Sequence, residues 1–206
     1  MALKDTMTKM LGIKPELYLD RLMVLMEMDG KDHIRADNRA GTTLGRLLDS
    51  QFVSPFHIPG LGNFNTTEGL WYYISMQNPV EDLRLLSGNA CRILIKELRN
   101  KRELKKIHRS NFKDIILYGT WAKIENNPEL KKLFIENEDL PYIRYYVTNK
   151  NLKNELFIDT NSTGIGVLNE LRQAYQDDVY YKAPLPDVRD IVKGLSDEAR
   201  FYNDLK

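Results

Sequence analysis

The sequence predicts a mainly α-helical protein, an α+β fold with a few short strands in a single domain. Three observations lead there. Apolar residues recur at three- and four-residue intervals in several segments, the spacing of one helix face. Helix-start chemistry punctuates the chain, most plainly at Asn127-Pro128-Glu129, with an Asn cap, a first-position Pro and an acid in the first turn. Strand-like stretches are few and short. The length of 206 residues suits one fair-sized domain, and the 42% hydrophobic content is enough to build its core.

Taken in order, residues 14–28 place Leu17, Leu22, Leu25 and Met26 near helical spacing, with Gly30 as a stop. Six of the seven methionines fall within the first 28 residues, where flexible core filling is expected of them. Residues 30–45 are polar and glycine-punctuated, and read as a loop. Residues 52–64, FVSPFHIPGLGNF, read as short extended pieces joined by a turn. Asn65 then stands as a helix N-cap with Glu68 three residues on, the spacing of a capping box, and a helix should run through Tyr73.

Ser87-Gly88 separates two helical stretches, and Ala90, Ile93, Leu94 and Leu98 form one face of the second. Residues 112–124 keep helical phase despite Gly119. The helix opened by Asn127 follows. IRYYV after Pro141, and then ELFID, read as strands by their aromatic and β-branched content. Ile165, Leu168, Leu171 and Tyr175 line another helix. Val188, Ile191, Val192 and Leu195 fall at i, i+3, i+4 and i+7, and Ser196 can cap a last short helix. The organisation expected is a helical extension over 1–46, a core over 47–176 and a helical extension over 177–206.

Bulk chemistry excludes several functions. Thirty Lys+Arg against 29 Asp+Glu leave a formal charge of +1, too balanced for a general attraction to nucleic acid or membrane. Cys91 is the only cysteine, so neither an intrachain disulfide nor a thiolate zinc site is expected, and His33, His57 and His108 show no ligand spacing. No cofactor or metal is expected. The absence of a long apolar run predicts a cytoplasmic protein with no membrane partner. Charge is nonetheless uneven. Nine basic residues lie between Arg92 and Lys113, against Glu97 and Glu103. Such a run is commonly a solvated helix face. Its sharper reading is a nucleic-acid-facing surface formed by Arg92, Lys96, Lys101 and Lys105.

Phosphate-loop, dinucleotide, zinc-protease and serine-hydrolase signatures are all missing. What remains is a carboxylate among aromatics, at Thr66-Thr67-Glu68-Gly69-Leu70-Trp71-Tyr72-Tyr73, and a glycine-bearing helix start at Asn161-Ser162-Thr163-Gly164-Ile165-Gly166. Backbone N–H groups at such a start can hold a phosphate, although close helix packing is the commoner reason for its glycines.

These pieces stand in an order that resembles the NADAR (YbiA-like) family. Asp49-Ser50-Gln51-Phe52 stands where that family has a Phe-Ser-Asn-Phe motif, and Thr66-Thr67-Glu68-Gly69 where it has Thr-Ser-Glu-His. Leu83-Arg84 and Ala90-Cys91-Arg92 follow, then Ala122-Lys123-Ile124 with the leucine-bearing helix of residues 128–133. Asn161-Ser162-Thr163-Gly164 and Leu168-Asn169-Glu170-Leu171-Arg172 close the series. The resemblance spans residues 47–175 and lies in colinear order more than in any one motif. Gly69 replaces the family histidine, Ser75 replaces its downstream lysine, and the Asp-x-x-Trp-Gly segment has only Phe157-Ile158-Asp159 as a loose counterpart.

That family acts on ADP-ribose-type N-glycosides, including ADP-ribosylated guanine in DNA and early riboflavin-pathway intermediates. The resemblance therefore implies an N-glycosidase that separates ADP-ribose from a nucleobase such as guanine in DNA. The biological role it implies is reversal of DNA ADP-ribosylation, for example by a phage countering a host defence. It implies Glu68 as a catalytic residue. With Ser75 in place of the family lysine, it leaves Lys123 and Lys96 as candidates for the catalytic amine, Lys123 because it stands at the Ala-Lys position. Ser50, Gln51, Phe52, Trp71, Tyr72, Asn161 and Gly164 are the ligand-binding residues it implies. The partners expected are ADP-ribose or an ADP-ribosylated nucleobase, and DNA. The losses at Gly69 and Ser75 keep open a catalytically inactive ADP-ribose- or nucleotide-binding module. The basic run keeps open a small nucleic-acid-binding regulatory protein.

Overall fold

The computed structural model describes residues 17–150 and 153–192, and about half of these are helical. In chain order the elements are α1 (Leu17–Met28), β1 (Ile34–Arg35), α2 (Thr43–Leu48), β2 (Phe56–Ile58), β3 (Gly62–Phe64), α3 (Thr67–Ser75) and α4 (Asp82–Leu85). There follow α5 (Gly88–Asn100), α6 (Phe112–Glu125), α7 (Pro128–Glu136), β4 (Tyr142–Lys150), β5 (Lys153–Asp159), α8 (Thr163–Asp177) and α9 (Arg189–Val192). The result is a single α+β domain. None of the described helices is long and apolar enough to cross a membrane.

Helix α6 is the centre. Its run Ile115–Tyr118 is apolar on consecutive residues, and the helix is buried nearly all round, as a helix without a polar face must be. It packs against α3, α7, α8 and β2. Its neighbours are amphipathic. Helix α8 buries Ile165, Leu168, Leu171 and Tyr175 on one stripe, and α7 buries Leu130 and Phe134. Asn127 accepts from the Leu130 N–H at 3.1 Å while Pro128 occupies the first helical position, where its missing N–H costs nothing.

Two small sheets flank this core. β2 and β3 form an antiparallel hairpin with Phe56 opposite Phe64, and Gly60, at φ +81°, makes the turn. The second sheet has the order β1-β4-β5: β1 runs parallel to β4, and β4 antiparallel to β5. Ile34 in β1 and Val188 and Ile191 near the C-terminal end belong to the same apolar cluster as α6. Arg109 fastens that end. Its Nε and Nη2 donate to the carbonyls of Ile74 (2.8 Å) and Met76 (3.0 Å), and Nη1 to Asp190 (2.8 Å).

Several sequence expectations need correction. Residues 30–45 are not only a loop, because β1 and the start of α2 lie inside them. Two-residue β1 is too short for a periodicity to register. Two of the N-terminal methionines are not core filling: Met23 and Met26 are half exposed on α1. The cap of α3 is Thr66, whose hydroxyl accepts from the Gly69 N–H at 3.0 Å, and not Asn65, whose amide instead donates to the Leu85 carbonyl. Leu195 and Ser196 lie outside the described residues.

Candidate functional site

Shifting the cap to Thr66 frees Glu68 for another task. Glu68 sits in the first turn of α3, where the helix dipole favours a negative charge. Its backbone N–H donates to the Ser50 carbonyl at 2.8 Å, and the Ser50 hydroxyl donates to Oε2 at 2.7 Å. Arg92, from the first turns of α5, donates through Nε to Oε1 at 2.7 Å and through Nη2 to Oε2 at 3.4 Å. A carboxylate gripped from two elements is oriented, and this one is nearly buried, with 11% of its side chain exposed.

Glu68 opens into a cleft of about 350 Å³. Trp71 and Tyr72 line it one helical turn further along α3, because residues three and four apart share a helix face. The Tyr72 hydroxyl titrates above its ordinary range, first through burial and then through the neighbouring Glu68 charge. Trp71 is held edge-on by Phe112, with ring centroids 4.8 Å apart. Gly69 is required on the other side of α3. A Cβ there would stand in hard contact with the Leu83 carbonyl oxygen, so no histidine can occupy this position without displacing α4. Ser75 lies at the far end of α3, donates to the Tyr72 carbonyl and does not line the cleft.

Lys123 reaches the same cleft from α6. It is 1% exposed, which rules out an ordinary surface lysine. Its Nζ donates to the Asp49 carbonyl at 2.8 Å, and the Phe52 ring centroid is 5.6 Å away. Burial lowers its pKa to about 7, partly opposed by the charge of Asp49. The amine therefore exists in both protonation states near neutrality.

The opposite wall is built by β4, the end of β5 and the start of α8. Asp159 Oδ1 accepts from the N–H groups of Asn161 (3.1 Å) and Ser162 (2.8 Å) and so folds the turn into α8. Burial alone would raise the Asp159 pKa, yet the bonds from Ser162 and Asn161 and the charge of Arg144 hold it below the usual value. Ser162, Gly164 and Arg144 line the cleft. The Arg144 Nε is buried and has no hydrogen-bond partner among the described residues. Close packing does not account for Gly164 or Gly166, since a Cβ at either would meet nothing within 4 Å.

The structure thus brings together Ser50, Glu68, Trp71, Tyr72, Arg92, Lys123 and Gly164. It leaves out three residues of the expected ligand set. Gln51 packs over Gly88, and with Phe52 it lines a separate depression of about 400 Å³ that also includes Arg46. Asn161 contributes its backbone to the turn while its exposed side chain lies off the cleft. Sequence reasoning missed Asp49, Thr120, Arg144, Asp159 and Ser162. Alternation along IRYYV could have flagged Arg144 as facing opposite to buried Tyr145.

The basic run divides into parts. Arg92 is the partner of Glu68 and is not left free for phosphate. Arg109 is buried as a fastener, and Lys113 pairs with Glu170 at 2.6 Å. Lys96, Lys101 and Lys105 are exposed and outside the cleft. No cluster of His, Cys, Asp or Glu able to hold a metal ion occurs among the described residues.

Searches of family models, curated proteins and solved structures return no match to this chain.

Proposed function

We propose that the protein is an N-glycosidase that hydrolyses the bond between the ribose of an ADP-ribosyl group and a nucleobase. The observation that carries this reading is the convergence of one oriented carboxylate, Glu68, and one buried amine, Lys123, on a single aromatic-walled cleft. The colinear likeness to NADAR proteins supports it independently, since these two residues occupy the Thr-Ser-Glu and Ala-Lys positions of that pattern.

The chemistry follows from the bond to be broken. Cleaving an N-ribosyl bond develops positive charge at the anomeric carbon, and a fixed carboxylate stabilises that charge more than a solvated one can. The electron pair of the C–N bond leaves with the base nitrogen. Water supplies the new hydroxyl at the anomeric carbon, and its released proton balances the one the departing nitrogen takes up. Glu68 is the group to stabilise the sugar and receive the water proton. Lys123, with a pKa of about 7, can donate to the leaving group at neutral pH. Trp71 and Tyr72 exclude water and offer a stacking wall. The N–H groups at the start of α8 suit the pyrophosphate. Guanine in DNA is the base the family likeness favours.

A non-catalytic ADP-ribose-binding module is the second reading. One observation favours it: both oxygens of Glu68 are already engaged. Thermal shift with ADP-ribose, followed by turnover of ADP-ribosylated DNA, separates the two. Glycosidase activity requires a raised melting temperature and release of ADP-ribose that Glu68→Gln abolishes. Stabilisation without release establishes the binding module, and neither response refutes both.

A further inference from the structure

Successive residues of a strand point to opposite faces, so the β4–β5 hairpin sorts its side chains into two sets. Arg144 and Asp159 are register partners, and both line the cleft. Two residues further along each strand, Tyr146 and Phe157 are register partners as well, and so belong to the same face, one step outside the cleft. Their rings are 5.2 Å apart at an interplanar angle of 43°. Phe157 keeps 49% of its surface exposed. The intervening pair, Tyr145 and Ile158, belongs to the other face, where Tyr145 is fully buried and its hydroxyl donates to the Leu25 carbonyl of α1. That face anchors the hairpin. The Tyr146–Phe157 pair is not needed for it.

We infer that the Tyr146–Phe157 pair is a stacking platform for a nucleobase of single-stranded nucleic acid, the neighbour of the base held in the cleft. This rests on the cleft being a site for a nucleobase-linked glycoside. Continuity is the first argument, because the platform extends the wall formed by Arg144 and Asp159. Charge is the second. Arg144 is the next same-face residue toward the cleft, with its Nε unpartnered, and suits the phosphate joining two nucleotides. Along α5, exposed Lys96 and Arg99 lie three residues apart on one face, and the Arg99 charge reaches Tyr72 in the cleft. Basic residues on α5, Arg144 on β4 and an exposed Phe157 ring beside half-buried Tyr146 are the elements of a single-strand site. A second copy of the chain would bring identical basic residues against these. Beyond the platform the next same-face pair is Thr148 and exposed Glu155, which offers no ring for a second base.

The test compares wild type, Tyr146→Ser with Phe157→Ser, and Val147→Ser on the opposite face. Fluorescence anisotropy measures affinity for a short labelled single-stranded DNA oligonucleotide, calorimetry measures affinity for free ADP-ribose, and sedimentation gives oligomeric state. The double variant should lose about ten-fold or more in oligonucleotide affinity and keep its ADP-ribose affinity, while Val147→Ser changes neither. Phe157→Trp, which retains a ring and needs no core rearrangement, should show indole fluorescence quenched by the oligonucleotide. Unchanged oligonucleotide affinity in the double variant, an unquenched Trp, or no oligonucleotide binding by wild type overturns the platform. So does a double variant that dissociates a dimer while still binding the strand. Oligonucleotide binding with no response to ADP-ribose would leave the platform standing and refute the glycosidase reading.

Discussion

Arg92 and Glu68 meet across the gap between α5 and α3, with Nε 2.7 Å from Oε1 and Nη2 3.4 Å from Oε2. Arg92 keeps 44% of its side chain in solvent, so the pair contributes little to stability and much to orientation. Glu68→Gln retains an acceptor for the Ser50 hydroxyl and leaves the Thr66 cap untouched. It should cost about 1 kcal/mol or less in a denaturant titration, bind ADP-ribose, and lose two orders of magnitude or more in ADP-ribose release. Normal turnover in this variant would remove Glu68 from the chemistry.

Lys123 makes a pH prediction. Its folded pKa is about 7, against about 10.4 for an unfolded lysine. Between those values the unfolded chain holds a proton that the folded protein lacks, so stability rises with pH across that window and is flat below about 7. Lys123→Met removes this dependence. The stability of wild type relative to Lys123→Met should therefore increase from pH 7 to pH 10, measured by urea unfolding at each pH. A constant difference would mean that the amine is charged throughout.

Two glycines should respond in opposite ways. Gly69→Ala drives a Cβ into the Leu83 carbonyl oxygen and should destabilise by about 1–3 kcal/mol. Gly164→Ala meets nothing within 4 Å and lies in the first turn of α8, so it should be neutral or stabilising by up to about 1 kcal/mol. Gly164→Leu should melt normally and bind ADP-ribose less tightly, since its side chain enters the cleft. Thermal melts with and without ligand check all three.

The exposed lysines test the wider surface. If DNA lies along α5 and the segment after it, Lys101→Glu with Lys105→Glu should weaken DNA binding and flatten its dependence on salt, because fewer counterions are released. Their exposure predicts no change in melting temperature. An unchanged salt slope would assign these charges to ordinary solvation.

Much of the helical framework was legible because its causes are local. Asn127-Pro128, the stripe of α8 and the Ser87 break each depend on residues within one or two turns, and each appears where expected. Glu68 shows the limit. Its spacing from Asn65 matches a capping box, but Asn65 is drawn to the Leu85 carbonyl and Thr66 takes the cap, so the carboxylate turns to Arg92. The competing partners lie 20 and 24 residues away from Asn65 and Glu68, respectively, beyond the reach of any local pattern.

The sequence by itself determined the helices, the short strands and a set of residues able to serve as acid, amine and aromatic wall, because side-chain chemistry and near-neighbour spacing are properties of the chain. Tertiary packing alone decided which of them meet. Burial of α6 in the core lowers the Lys123 pKa to about 7, the register of β4 with β5 brings Arg144 beside Asp159, and the approach of α3 to α4 leaves no room for a side chain at Gly69. Each of these depends on desolvation or contact between segments far apart in sequence, and neither quantity exists until the chain has folded.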